Sequence, residues 1–100
     1  MPRITELRTR QQEDGRISTS GALIVLFKSP RCGYCVTLTP IFEALSDKYP
    51  HIDFATVDTS KIKVLDLKGV PTMAVYKNGQ CIDVIIGANE ERLEQAIAKL

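Results

Sequence analysis

The chain has 100 residues, of which 44% are hydrophobic and 25% are charged. This length and composition fit one domain with one core and leave too little chain for a second domain. Thirteen basic and twelve acidic residues leave a net charge of only +1, so no basic excess indicates a nucleic-acid or membrane partner. No segment approaches the roughly 20 apolar residues of a membrane helix, and the N-terminal stretch lacks the apolar core of a signal peptide. We therefore expect one cytoplasmic domain over residues 1–100.

The first twenty residues form a polar leader whose pattern is weak. Ile4 and Leu7 fit an edge strand, and residues 8–16 fit either a short helix or a loop. After the leader, residues 22–27 ("ALIVLF") are an unbroken apolar run with β-branched members. Such a run predicts a strand that is buried on both faces and lies near the middle of a sheet.

The pattern then changes to a helical spacing. Apolar side chains recur every three or four positions from Cys35 onward, which predicts an amphipathic helix that ends at Pro50. The apolar face of this helix comprises Leu38, Ile41, Phe42, Leu45 and Tyr49. Pro40 lies inside the helix and should kink it. Residues 51–58 alternate well enough to predict a second internal strand.

The last third of the chain carries clear turn and cap signals. Residues 59–69 predict a short helix or turn. The dipeptide Asn78-Gly79 separates two strand-like segments, 72–77 and 80–87, and is a strong signal for an antiparallel hairpin. Asn89 can serve as the N-cap of a final helix, because its side chain can accept a backbone N–H. Glu90 and Glu91 follow in the first turn, where the helix dipole favours negative charge. The buried stripe of that helix should comprise Leu93, Ile97 and Leu100.

Two of the three cysteines, Cys32 and Cys35, stand two residues apart in "SPRCGYC". The pair could belong to a metal site, a structural staple or a redox couple. Three cysteines are too few for a disulfide scaffold. A structural zinc site needs four ligands, and beyond the pair the chain offers only Cys81 and His51. A redox couple is therefore the favoured interpretation, with Cys81 a passive thiol and His51 a solvated or capping residue.

Several ordered motifs together resemble the thioredoxin family. "CGYC" follows a buried strand and opens a helix with Pro40 five residues after Cys35, and "GVPT" (69–72), "YKNGQ" and "GAN" come after it. The resemblance covers about residues 20–100. It implies the thioredoxin fold, an α/β architecture in which helices flank a central mixed sheet of four to five strands. It also implies a cis peptide bond before Pro71.

The physical chemistry of a helix start assigns different roles to the two cysteines. A thiolate, not a thiol, attacks a disulfide, and unpaired N–H groups with the positive end of the helix dipole favour a thiolate at the helix N-terminus. We expect Cys32 to attack and Cys35, one turn deeper, to resolve the mixed disulfide. The resemblance implies that the backbone of Val70 and Pro71 contacts an extended substrate.

The sequence also departs from the family pattern around the cysteines. Arg31 replaces the usual tryptophan, and Lys28 replaces an aromatic residue. Both cations should favour the thiolate and attract acidic substrates, although salt screens exposed charges. The dipeptide between the cysteines is Gly33-Tyr34 rather than the usual glycine-proline. Glycine-tyrosine also occurs in periplasmic disulfide isomerases, which are more oxidising than thioredoxin. We assign Arg31, Gly33 and Tyr34 to substrate contact together with the clamp at residues 70–71.

A second departure concerns proton transfer. The buried aspartate that typically lies six residues before the first cysteine is here Leu26, and the buried lysine of the next strand is here Phe54. The usual proton acceptor for Cys35 is therefore missing. Resolution of a mixed disulfide should be slower, or should rely on water or on groups of the substrate.

These observations predict an enzyme, a thiol-disulfide oxidoreductase that reduces or exchanges protein disulfides through Cys32 and Cys35. The chemistry needs no prosthetic group or metal. We expect a monomer that receives electrons from a flavoprotein resembling thioredoxin reductase or from glutathione. One alternative is a non-catalytic binding module on the same fold. The other is a more oxidising protein that resembles a disulfide isomerase or a glutaredoxin.

Overall fold

A computed structural model describes residues 4–64, 67 and 69–100. The described residues form five strands and three helices in the order β1 (Ile4–Leu7), α1 (Arg10–Thr19), β2 (Ala22–Lys28), α2 (Gly33–Lys48), β3 (Asp53–Asp58), β4 (Thr72–Lys77), β5 (Gln80–Ile86) and α3 (Glu90–Ile97). Within these residues, no helix has the length and apolar character needed to cross a membrane.

The strands form one mixed sheet in the order β1-β3-β2-β4-β5. β1 and β2 both pair with β3 in parallel, whereas β4 pairs antiparallel with β2 and with β5. The sheet and its flanking helices confirm the predicted α/β thioredoxin-type architecture. β2 is the central strand, and its residues from Leu23 to Phe27 are all buried because both faces of the sheet are covered.

Successive side chains of β2 enter two separate cores, as the alternation of a strand requires. Ile24 and Leu26 pack with buried side chains of α2 and α3. Leu23, Val25 and Phe27 point to the opposite face, where α1 lies against the sheet through Ile17. The sheet therefore lies between two helical layers, and the C-terminal end of β2 delivers the chain directly to α2.

The start of α2 agrees with the helix that the CGYC motif was expected to open. α2 begins at Gly33, two residues before the apolar spacing starts at Cys35, and Cys32 serves as its N-cap. β3 begins at Asp53 rather than at residue 51, because a turn closed by the Ile52 N–H and the Tyr49 carbonyl occupies the preceding residues. Pro40 lies inside α2 as expected.

The hairpin and the final helix agree with their sequence signals. Asn78 and Gly79 adopt φ values of 51° and 83° between β4 and β5, the left-handed conformations that such a tight turn requires. The side chain of Asn89 accepts a hydrogen bond from the N–H of Arg92 at 3.0 Å and so caps α3. Leu93 and Ile97 are buried on its inner face, while Leu100 packs against the core beyond the last helical residue.

The first twenty residues contain the edge strand and the short helix that their sequence pattern allowed. β1 is an edge strand, and α1 shows that the helix, not the loop, is correct. Thr9 caps α1 by accepting the N–H of Gln12 at 3.1 Å. A short helix or turn was expected at residues 59–69. A turn follows β3 there, in which the N–H groups of Lys61 and Ile62 donate to the Asp58 carbonyl. Part of that prediction falls on residues 65, 66 and 68, which lie outside the described residues.

Candidate active site

The two cysteines of the CGYC motif are joined at the end of the central strand. A disulfide links Cys32 and Cys35, with an S–S distance of 2.17 Å and a Cα–Cα distance of 5.2 Å. Residues 29–31 connect this pair to the last residue of β2, so the position of the disulfide is fixed by the most deeply buried strand of the sheet. The Cys32 and Cys35 residues are only 7% and 4% exposed.

The disulfide lies at the N-terminus of α2, where the first backbone N–H groups have no carbonyl partner within the helix. The Sγ of Cys32 accepts a hydrogen bond from the N–H of Cys35 at 3.1 Å. Thr39 lies one turn further along and donates its hydroxyl to the Cys35 carbonyl at 2.7 Å. When the disulfide is reduced, the N–H groups and the helix dipole favour negative charge on Cys32.

A cavity of about 240 Å³ opens beside the disulfide. Both cysteines line it, together with Thr39, Lys28 and Asp58. Lys28 and Asp58 end β2 and β3 and are paired in the parallel register, so the sheet places a cation and an anion side by side at this edge. The cavity therefore combines the redox sulfurs with one charge of each sign.

Two hydrogen bonds from Ser60 stabilise the ionised form of Asp58. Its Oδ1 accepts the Ser60 hydroxyl at 2.6 Å and the Ser60 N–H at 2.9 Å. These bonds to Ser60 lower the pKa of the Asp58 carboxyl below its ordinary value, and the nearby charges of Lys61 and Lys28 lower it further. An aspartate is ionised near neutral pH even at its ordinary pKa, and these interactions extend the ionised state to lower pH.

The side chains at the two positions of the family's usual buried aspartate and lysine are apolar and lie in the interior. Leu26 is fully buried and Phe54 is 2% exposed. The Phe54 ring packs edge-to-face on Phe42 with centroids 5.1 Å apart. A second cavity of about 340 Å³ lies next to the first, shares Lys28 with it, and is lined by Leu26. Its acidic wall residues are Glu6 and Glu43.

The segment before β4 reaches the same end of the sheet. The Val70–Pro71 peptide bond is cis, as the resemblance implied. Thr72 pairs with Phe27, the residue before the end of β2, and the Pro71 carbonyl accepts the N–H of Gly87 at 2.9 Å. Pro71 is buried and Val70 is half-buried. The cis bond thus lies near the edge of the sheet from which the disulfide loop departs.

A comparison with protein families decides what this arrangement is. The family model described as Thioredoxin matches residues 5–99. The chain belongs to the thioredoxin family. A thioredoxin of Coprinus comatus is 37% identical over 94 residues, covering 87% of this chain and 89% of that protein. Thioredoxin 1 of Plasmodium falciparum is 34% identical over 101 residues, covering 96% and 97%.

Solved structures give the same answer for the fold. The oxidised form of mitochondrial thioredoxin 3 from Saccharomyces cerevisiae superposes with a TM-score of 0.91 at 31% identity, covering 97% of this chain and 95% of that chain. The thioredoxin family, with its redox-active cysteine pair, makes the chain a thiol-disulfide oxidoreductase. Proteins of this kind act on disulfide substrates and are reduced in turn by reductase partners. Neither the non-catalytic module nor the more oxidising alternatives are favoured.

The residues assigned to substrate contact next to the disulfide differ in their exposure to solvent. Arg31 and Gly33 are exposed, and Tyr34 is 74% exposed. Val36, which sequence reasoning missed, is 75% exposed and lines the cavity beside the cysteines. Its signal was an apolar residue one position after Cys35 but outside the apolar stripe of the helix. The carboxylate at the end of β3 was also missed, since only the parallel register brings it to the cavity.

The two other candidate residues stay outside this site. Cys81 is exposed and pairs with Tyr76 near the hairpin turn, at the opposite end of β4 from Thr72. His51 is exposed and contacts the Tyr49 ring edge-to-face. In the described part of the chain, no three His, Cys, Asp or Glu side chains are grouped to hold a metal ion. Cys81 takes no part in the bond between the other two cysteines.

Proposed function

We propose that this thioredoxin-family protein reduces or exchanges disulfides of other proteins, with Cys32 as the attacking and Cys35 as the resolving cysteine. The Cys32 thiolate attacks a substrate disulfide and one substrate thiolate leaves. The Cys35 thiolate then attacks the mixed disulfide, which releases the second substrate thiolate and restores the Cys32–Cys35 bond. The observation that carries this proposal is the disulfide at the capped N-terminus of α2.

Five residues around the disulfide are proposed to hold the substrate. Arg31, Gly33 and Tyr34 are exposed beside the sulfurs, and Val70 with Pro71 approaches from the adjacent edge of the sheet. An extended substrate strand would lie between these two groups. Its backbone would meet the backbone of Val70, while Tyr34 offers an aromatic surface and Arg31 a positive charge.

Further properties complete the proposed function. The chain would act as a single monomeric domain in the cytoplasm and serve electron transport and redox homeostasis. Its electrons would come from a flavoprotein reductase of the thioredoxin-reductase type or from glutathione. The near-neutral net charge of +1 and the absence of a basic excess support a protein substrate over nucleic acid.

Insulin reduction with dithiothreitol as electron donor tests this function. We expect the wild-type protein to accelerate insulin precipitation and both Cys32→Ser and Cys35→Ser to abolish the acceleration. Cys81→Ser is the matched control, because the third thiol lies outside the site, and it should retain full activity. A wild-type rate no higher than that of dithiothreitol alone would favour a binding module that retains the fold.

A further inference from the structure

Lys28 and Asp58 present opposite charges in the cavity that contains the redox disulfide. They are register partners at the ends of β2 and β3, and both line the cavity with Cys32 and Cys35. Both residues are partly exposed and the Asp58 carboxylate is open to solvent, so each charge can reach a ligand but is screened by water and salt. A ligand in this cavity would meet a cation, an anion and a sulfur at once.

Neither charge is held in a close ion pair among the described residues, and Lys28 and Lys61 act on Asp58 only at longer range. Lys28 forms no ion pair with any described carboxylate. Asp58 uses Oδ1 for its two hydrogen bonds to Ser60, while Oδ2 receives none from the described residues. Each group retains the capacity to bind an opposite charge brought by a ligand.

The neighbouring charges exclude ligands of a single sign. Glu43 lines the adjacent cavity together with Lys28, so a simple anion would be repelled by Glu43 and Asp58. Glu6 lines that cavity as well, but it is paired with Arg8 at 3.4 Å and Lys61 at 3.7 Å. A simple cation would be repelled by Lys28. A zwitterion, with an ammonium and a carboxylate on one carbon, can satisfy both ends.

We propose that this cavity selects small thiols that carry an α-amino-acid zwitterion as reductants of the Cys32–Cys35 disulfide. The carboxylate of the thiol pairs with Lys28 and its ammonium pairs with Asp58. The volume of about 240 Å³ is below the roughly 300 to 1,000 Å³ typical of pockets for drug-sized ligands, which suits a small thiol. This inference rests on the proposed function, since it names the class of electron donor for the same disulfide.

The redox step balances with two molecules of the donor. A first thiolate attacks the Sγ of Cys32 and forms a mixed disulfide, and the Cys35 thiolate leaves and is protonated by water. A second thiolate attacks the donor sulfur of that mixed disulfide and releases the Cys32 thiolate. Two donor thiols are oxidised to one donor disulfide, and the protein disulfide is reduced to the dithiol.

Four simple thiols separate the contributions of the two charges. Oxidised protein is reduced with cysteine (zwitterion), cysteamine (cation), 3-mercaptopropionate (anion) and 2-mercaptoethanol (neutral). Each rate per thiolate is divided by the rate per thiolate of the same thiol with a small exposed disulfide, because intrinsic nucleophilicity falls as thiol pKa falls. For wild-type protein we expect cysteine to exceed 2-mercaptoethanol by about two- to fivefold, the effect of a partly exposed ion pair. Neither singly charged thiol should show this advantage.

Variants assign the preference to its residues. Lys28→Gln should lower the cysteine to 2-mercaptoethanol ratio by about two- to fivefold and favour cysteamine, because the repulsive cation is gone. Asp58→Asn should lower the same ratio and favour 3-mercaptopropionate. Asp53→Asn, at the other end of β3, and Lys63→Gln, outside the cavity, are matched controls that should leave the wild-type ratio unchanged.

Three outcomes would overturn the inference. They are equal normalised rates for cysteine and 2-mercaptoethanol, a higher normalised rate for cysteamine than for cysteine, and an unaltered ratio in both cavity variants. Insulin reduction driven by dithiothreitol, a neutral thiol, examines the proposed function separately. A wild-type protein that reduces insulin but shows no preference for cysteine would retain the proposed function and refute the donor class.

Discussion

The Sγ of Cys32 accepts a hydrogen bond from the N–H of Cys35 at 3.1 Å, so one cysteine caps the helix that contains the other. In the reduced protein this N–H favours a thiolate on Cys32, because a hydrogen bond to a charged acceptor is stronger than one to a neutral acceptor. Cys35 lies inside the first turn and donates this bond. The two sulfurs are therefore inequivalent before any substrate binds.

This inequivalence predicts which single-cysteine variant captures substrates. Cys35→Ser should accumulate mixed disulfides with protein substrates, because Cys32 can attack but nothing resolves the product. Cys32→Ser should accumulate essentially none. Non-reducing electrophoresis, followed by mass spectrometry of the linked peptides, measures both. Faster alkylation of Cys35 than of Cys32 by iodoacetamide in the reduced protein would show that the roles are reversed.

The apolar position behind the disulfide predicts a variant with opposing effects on rate and stability. Leu26→Asp would place a carboxyl in the fully buried position beside the second cavity. Burial would raise the pKa of this carboxyl, so its ionised form would be a stronger base that can take the proton of the Cys35 thiol. We expect resolution of the mixed disulfide to become faster and the free energy of unfolding to fall by several kcal/mol, roughly the cost of burying an unpaired polar group.

The matched control for this change is Leu26→Asn, which has the same shape but cannot take up the proton. It should destabilise the protein without speeding resolution. Stopped-flow quenching of the mixed disulfide measures the rate, and urea unfolding measures stability. Equal resolution rates in the Asp and Asn variants would mean that proton transfer from Cys35 does not limit the step.

Local patterns predicted most of the fold, whereas long-range pairing produced what they missed. Three features depend only on residues that are adjacent in the sequence, and each occurs as expected: the apolar run of β2, the Asn78-Gly79 hairpin and the Asn89 cap. Asp58 enters the active-site cavity only because β3 pairs in parallel with β2, a register that no local pattern specifies. Cysteine is not a usual cap, so the N-cap role of Cys32 had no local signal in the sequence.

Buried Glu13 predicts a pH dependence of stability that is independent of the redox site. Its Oε2 receives no hydrogen bond from the described residues, and burial raises the pKa of the Glu13 carboxyl, partly opposed by Arg10. The folded state therefore holds this proton more tightly than the unfolded chain does. Stability associated with Glu13 is fully present below pH 4.5, the ordinary value, and is lost as pH rises through the raised pKa.

Replacing this carboxyl with a neutral group should remove that loss. Glu13→Gln should be more stable than wild type at pH 7, by about 1 kcal/mol or less, and the difference should shrink as the pH falls below 4.5. Urea unfolding at pH 4 and pH 7 measures both differences. Asp14→Asn, at the exposed neighbouring position, is the control and should show a smaller dependence. A Glu13→Gln variant that is less stable at pH 7 than at pH 4, relative to wild type, contradicts this account.

The residues flanking the first cysteine predict the redox potential. Arg31 is exposed next to Cys32, and Tyr34 stands between the two cysteines. A cation near the Cys32 thiolate stabilises the reduced protein, and a more stable reduced form makes the disulfide a better oxidant. We expect a potential tens of millivolts above the value of about −270 mV typical of thioredoxin.

The double variant Arg31→Trp/Tyr34→Pro restores the residues usual at these positions and should move the potential back toward about −270 mV. Reaction of Cys32 with iodoacetamide below pH 7 should slow in parallel, because the same stabilisation of the thiolate underlies both quantities. Equilibration with glutathione gives the potential, and each 30 mV corresponds to about 1.4 kcal/mol for this two-electron couple. Gln80→Glu, on β5 near the hairpin turn, serves as a charge-changing control that should leave both quantities unaltered. A wild-type potential at or below about −270 mV would show that Arg31 does not set the redox balance of this disulfide.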